Sequence, residues 1–220
     1  ETFYSFDSSY WDLVDRKETT TNVVAHSLDK LNIESFKYKA CFYLSEKEDE
    51  WGKHQINGLR RPLLSINTTS KELVKTWPKD KWNGLVPELQ EIGDIIQLGD
   101  NREPKLIGAK SFAGNCTMRE SAAILNHTDL FIGPDSLLMH IANGLEIPSV
   151  ILFGGSRPVQ CLGYDQNINL SSTPECSPCW IHDGFETCTH MVKCMNNINR
   201  SQVIDAVTSL LNIPPQIHQN

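Results

Sequence analysis

Short apolar runs alternate with helical stripes along most of this chain. The runs are Leu63–Ile66, Ile95–Leu98, Leu130–Ile132 and Val150–Phe153, with weaker ones at Leu106–Ile107 and Ile168–Leu170. Between them, Trp82, Leu85, Val86 and Leu89 recur at helical spacing, as do Met118, Ala122 and Leu125, and then Leu137 to Leu145. Fully buried strands alternating with amphipathic helices predict an α/β domain built on a Rossmann-like parallel sheet with flanking helices. Pro78 can open the first of these helices, and Pro87 should kink or split it. A last helix carries Val203, Ile204, Val207, Leu210 and Leu211, capped by Asn199 or Ser201 and stopped at Pro214-Pro215.

The first part reads differently. Residues 1–20 are aromatic and polar without a period. Val24, Leu28 and Leu31 form one helical stripe, and Tyr38, Ala40, Phe42 and Leu44 alternate as a short strand within 37–44. Residues 45–61 are charged and read as a linker. The expected organisation is a small helix/strand segment with its linker over 1–61 and the Rossmann-like domain over 62–220. The chain opens on Glu1 rather than Met, which reads as a piece of a longer polypeptide.

Composition excludes some partners. The 220 residues carry 20 basic and 27 acidic side chains, a formal net charge of −7. A general nucleic-acid or anionic-membrane binder needs a basic surface instead. No apolar run reaches the ~18 residues of a transmembrane segment. Seven cysteines, an odd number, fit a disulfide scaffold poorly and a reducing, cytoplasmic setting better.

The stretch Asp129 to Gly155 reads strand, Gly-Pro turn, helix, strand. On a helical wheel Leu137, Leu138, Ile141, Ala142 and Leu145 share one side, with Ser136, His140 and Asn143 opposite. Asp135, Ser136 and the first helical N–H groups then stand at a strand's C-terminal edge, where open parallel sheets bind ligands and a helix N-terminus favours phosphate. The plain alternative is that Asp135 or Ser136 is an N-cap and His140 a surface histidine. A second candidate follows Leu63–Ile66. There the hydroxyls of Thr68, Thr69 and Ser70, with Lys75, could bind a diphosphate, or the stretch is a solvated loop. No GxGxxG and no Walker A motif is present, which weighs against a dehydrogenase or a P-loop NTPase.

Cys176-x2-Cys179-x8-Cys188-x5-Cys194 could place four thiolates on one structural zinc or iron, with His182 and His190 as alternative ligands. Reduced thiols or a disulfide remain the other readings.

Five pieces, in order, carry a family resemblance: Lys75-Thr-Trp-Pro78, Gly114-Asn-Cys-Thr-Met-Arg-Glu120, Asp135-Ser136 with His140, Pro148 to Gly154, and Cys176-Ser-Pro-Cys179 leading to Cys194-Met195. The ordered set resembles the C-terminal, donor-binding half of glycosyltransferase family 9, the heptosyltransferase-like enzymes. It covers residues 62–212, and extends weakly to 20–50. The resemblance implies the two-domain GT-B fold and inverting transfer from a nucleotide-diphosphate sugar such as ADP-heptose to a glycan or protein acceptor, as in lipopolysaccharide biosynthesis. It implies donor contacts at Thr68, Thr69, Lys75, Asp135, Ser136 and His140, no cofactor for transfer, and a cytoplasmic enzyme peripheral to the inner membrane. An iron-holding cysteine finger occurs in some members. Two departures stand out. Leu137 occupies a position where the family has Gly, and the family's usual general base lies in a first domain that this sequence almost wholly lacks. A missing N-terminal half or a homo-oligomer would complete the protein. A non-catalytic nucleotide-sugar-binding or assembly module is the competing reading; a related GT-B epimerase is a weaker third.

Overall fold

A computed structural model describes residues 40–179 and 187–213. The stripe at Val24–Leu31, His182 and the Pro214-Pro215 stop lie outside them. Among the described residues six strands form one all-parallel sheet: β1 (Leu63–Ile66), β2 (Asp94–Gln97), β3 (Lys110–Ser111), β4 (Leu130–Pro134), β5 (Ser149–Phe153) and β6 (Ile168–Ser171). Their order is β3-β2-β1-β4-β5-β6, the doubly wound arrangement that reverses direction between β1 and β4. β1 sits centrally, with Leu64 opposite Ile95 on one side and Leu130 on the other.

The strands read as continuous apolar runs because both faces are covered. Alternate side chains feed two cores. Leu64, Ile66, Leu130, Ile132, Val150 and Leu152 pack against α2 (Lys79–Ile92) and α7 (Arg200–Leu210). Leu63, Ile96, Phe131, Ile151 and Phe153 pack against α3 (Met118–Leu125) and α4 (Leu137–Gly144). Trp77 and Trp82 meet edge to face at 5.0 Å, and the Trp77 indole N–H donates to the Ile198 carbonyl at 3.0 Å, tying the start of α2 to the link between α6 (Lys193–Asn196) and α7.

The sequence expectation holds for five of these six strands. The Leu106–Ile107 run is not a strand. Leu106 is buried in a loop, Ile107 is exposed, and the edge strand forms four residues on from two exposed polar residues. α2 is one helix despite Pro87, with Pro78 as its N-cap. The described part of the expected 37–44 strand is irregular, and 45–61 holds a helix, α1 (Glu46–Gln55). Ser45 caps it: the Glu48 N–H bonds the Ser45 hydroxyl, and the Glu48 carboxylate returns to the Ser45 N–H at 2.8 Å. α1 lies on α3 through Gly52, where a Cβ would stand 2.2 Å from the Ala123 carbonyl oxygen. Arg119 of α3 closes the contact on Glu48 and holds that carboxyl well below the usual carboxylate range.

Candidate functional site

The loops leaving β1, β2, β4 and β5 enclose a cavity of about 590 Å3. It lies at the C-terminal edge of the sheet, where the strand order reverses, as expected for a ligand site in an open α/β fold.

The chain leaves β1 through Asn67, whose N–H still bonds the Ile132 carbonyl at 3.0 Å. A short 3-10 turn, Leu73–Lys75, then delivers Lys75 to the cavity floor. Its side chain is 8% exposed, with Nζ 2.8 Å from Asp135 Oδ2 and 3.4 Å from Glu72 Oε1. Asp135 arrives from the end of β4 and is itself buried. This pair joins the two loops across the switch point. The Ser136 hydroxyl donates to Asn67 Oδ1 at 2.8 Å and the Ser70 hydroxyl to the Asp135 carbonyl at 3.3 Å, so the same loops are stitched twice more.

His140 stands one helical turn along α4, with Nδ1 2.9 Å from the Tyr164 hydroxyl. Burial pushes its pKa below 6.5; Asp135 opposes that shift and Lys75 reinforces it. A neutral imidazole therefore lines the cavity near neutral pH.

Thr69, Lys75, Asp135, Ser136 and His140 all line the cavity, whereas Thr68 is buried and not among the lining residues. Neither threonine offers its hydroxyl to the cavity as expected. Glu103 takes both. Its carboxylate accepts the N–H groups of Thr68 at 2.8 Å and Thr69 at 3.0 Å, the Asn67 amide at 2.7 Å, and both hydroxyls. The protein places its own anion in the nest expected for a phosphate.

α4 also differs from the helical-wheel expectation. Asn143 is buried, while Leu137 is 58% exposed and faces the cavity. The helix begins at Leu137, so its side chain precedes the packed turns.

Sequence reasoning passed over several lining groups: Asn67, Lys71, Asp100, Arg102, Cys116 and Arg157. They sit on loops, where periodicity carries no signal. For Arg157 one signal was readable: a Gly-Gly-Ser-Arg-Pro run directly after a buried strand.

None of the seven cysteines forms a disulfide. Burial, and secondarily nearby Cys179 and Cys188, raise the Cys194 pKa, while the Gly155 and Met195 N–H groups oppose the rise. Cys188 Sγ accepts the Val192 N–H at 3.3 Å. Yet among the described residues no three His, Cys, Asp or Glu side chains stand where one ion could be held. The expected metal set of Cys176, Cys179, Cys188 and Cys194 is thus not assembled there. What this loop does touch is the segment leading to Arg157: the Gly155 carbonyl accepts the Cys179 N–H at 2.9 Å and the Ser177 hydroxyl at 3.3 Å.

Known proteins agree with this architecture. The family profile "Glycosyltransferase family 9 (heptosyltransferase)" matches residues 16–189. Lipopolysaccharide heptosyltransferase 3 of Escherichia coli K12 is 27% identical over 146 residues, 57% of this chain and 41% of that protein. The chain thus spans about two fifths of that curated relative. Among solved structures, a family 9 glycosyl transferase from Veillonella parvula DSM 2008 superposes with a TM-score of 0.71 at 18% identity, covering 90% of this chain and 61% of that one. TibC, an iron-containing dodecameric glycosyltransferase from enterotoxigenic E. coli H10407, solved as a heptosyltransferase with ADP-D-beta-D-heptose, superposes at 0.62 and 19% identity over 83% of this chain and 51% of that one. At such identities the superpositions speak for the fold. The profile match, spanning well over half the chain, decides the affiliation: the chain belongs to glycosyltransferase family 9, the heptosyltransferases.

Proposed function

We propose that this chain supplies the donor-binding half of an inverting GT-B glycosyltransferase, and that its cavity holds a nucleotide-diphosphate sugar resembling ADP-heptose. The carrying observation is the pairing of Lys75 with Asp135 across the switch point, at the floor of a cavity walled by helix and loop N-termini.

In this reading an acceptor hydroxyl, on a glycan or a protein, attacks the anomeric carbon. A new C–O bond forms, the bond to the diphosphate breaks, and the hydroxyl proton passes to a base on the facing half. Negative charge grows on the leaving diphosphate. Cationic side chains of the cavity and the N–H groups at the start of α4 are preorganised to stabilise it, so transfer needs no cofactor. His140, neutral and held by Tyr164, serves as a hydrogen-bonding wall rather than a second cation. Asp135 keeps Lys75 in place and positions the loop beside the sugar.

The enzyme would work in the cytoplasm against the inner membrane, where lipopolysaccharide heptosyltransferases find their acceptors. No helix among the described residues is long and apolar enough to cross a membrane. A homo-oligomer is a further expectation, since TibC is dodecameric.

Calorimetric titration with nucleoside diphosphates tests the site. Binding that Lys75→Ala and Asp135→Ala weaken, in variants that circular dichroism shows folded, supports it. No binding of any nucleoside diphosphate rejects it. Leu137 at the cavity mouth and Glu103 in the threonine nest favour a second reading, a binding module without turnover. A transfer assay with donor and acceptor separates the two.

A further inference from the structure

Four cationic side chains line the cavity: Lys71, Lys75, Arg102 and Arg157. Two have acidic partners and a third is solvated. Lys75 faces Asp135 and Glu72. Arg102 folds back on Asp100, with Nη2 2.5 Å from Oδ2. Lys71 is exposed to solvent. Arg157 differs from all of them. It is partly buried, it has no acidic partner among the described residues, and its Nε is buried without a hydrogen-bond acceptor. Buried N–H groups in native proteins are paired with protein, ordered water or ligand, so the Arg157 Nε, on a residue that lines the cavity, is open to an acceptor bound there.

The loop is built to hold that group in place. Gly154, Gly155 and Ser156 are buried. A Cβ on Gly154 would lie 3.0 Å from the Val74 carbonyl oxygen and 3.5 Å from Lys75 Cα, so the loop starts directly against the turn that carries Lys75. Pro158 follows as the cap of α5 (Val159–Leu162). Arg157 is thus fixed between a packed glycine pair and a proline.

We propose that Arg157 is the anion anchor of this cavity, binding the outer phosphate of a nucleoside diphosphate through two guanidinium N–H groups. The assignment rests on reading the cavity as the donor site. It divides the labour between the cations. Lys75, with Asp135 against it, shapes the floor, and Arg157 supplies a partly buried charge without an acidic partner among the described residues. The planar fork matters as much as the charge, because two phosphate oxygens are engaged at once.

The test is calorimetry on the full chain with three probes, ADP, AMP and inorganic pyrophosphate, for wild type, Arg157→Ala and Arg157→Lys. Arg157→Ala should weaken ADP and pyrophosphate about ten- to hundredfold and AMP by less than about twofold, as expected for loss of a charge-assisted pair to one phosphate. Arg157→Lys should recover part of that loss. Unchanged ADP binding in folded Arg157→Ala overturns the inference, and so does an equal loss for ADP and AMP. Pyrophosphate binding that needs Arg157, with no ADP or AMP binding, keeps the anchor and rejects the nucleotide reading. A wild type that binds none of the three rejects both. Should Arg157→Ala fail to fold by circular dichroism, the ADP-over-AMP preference of Arg157→Lys decides: a preference equal to wild type overturns the two-point contact.

Discussion

Lys75 Nζ lies 2.8 Å from Asp135 Oδ2, and both side chains are more than nine-tenths buried. Removing one partner of such a pair strands the other charge, at a cost of about 3–5 kcal/mol, while replacing both by apolar groups costs far less. Lys75→Met and Asp135→Leu should each lower the urea midpoint strongly, and the double variant should recover most of the loss. Nucleoside diphosphate binding should remain lost in all three. A double variant as unstable as the singles would show that the pair is not the coupling between the two loops.

Glu103 accepts two backbone N–H groups, two hydroxyls and the Asn67 amide. Glu103→Gln turns one acceptor oxygen into a donor facing donors. It should cost about 1–3 kcal/mol in equilibrium unfolding, the range for a buried polar group left without its partner. A change within experimental error would mean that the threonine loop holds its shape unaided.

Leu137 is a half-exposed apolar side chain where a sugar-diphosphate would approach the start of α4. Leu137→Gly should cost about 1 kcal/mol of helix stability. It should also strengthen binding of an ADP-sugar relative to ADP, read as the ratio of their dissociation constants. A ratio that does not move would place the sugar away from this residue.

His140 gives the site a pH signature. Its folded pKa lies below the ordinary 6.5, mainly through burial. Between the two values the unfolded chain binds more protons, so this contribution to stability is full above about 6.5 and is lost as pH falls from there through the lower folded value. Urea unfolding at pH 7.5 and pH 5.5 should show this loss, and His140→Gln should flatten it. An equally steep loss in His140→Gln would assign the effect to other groups.

The parallel sheet was legible because β1, β4 and β5 are buried on both faces and read as predominantly apolar runs. β3 was not, since Lys110 and Ser111 form an edge strand with no apolar mark at all. α1 hid behind its charges, although the Ser45-x-x-Glu48 capping box was there to be seen. Of the candidate residues, Asp135 is set at the end of a strand and His140 on a helix face, both readable from periodicity, while Lys75 enters on a short 3-10 turn. Thr68 and Thr69 misled for a chemical reason: hydroxyls suited to phosphate are equally suited to a carboxylate, and Glu103 is supplied from a loop thirty-odd positions away. Arg157 belongs to no periodic element; the Gly-Gly-Ser-Arg-Pro run marks a turn, and the packing of Gly154 on the Lys75 turn shows where it leads.

The Gly155 carbonyl, two residues before Arg157, is gripped by the Cys179 N–H and the Ser177 hydroxyl. None of the residues from Cys176 to Cys179 lines the cavity. The cysteine loop is therefore fastened to the backbone that leads into Arg157, so a residue inserted between Cys176 and Cys179 would shift that arginine without touching the cavity itself.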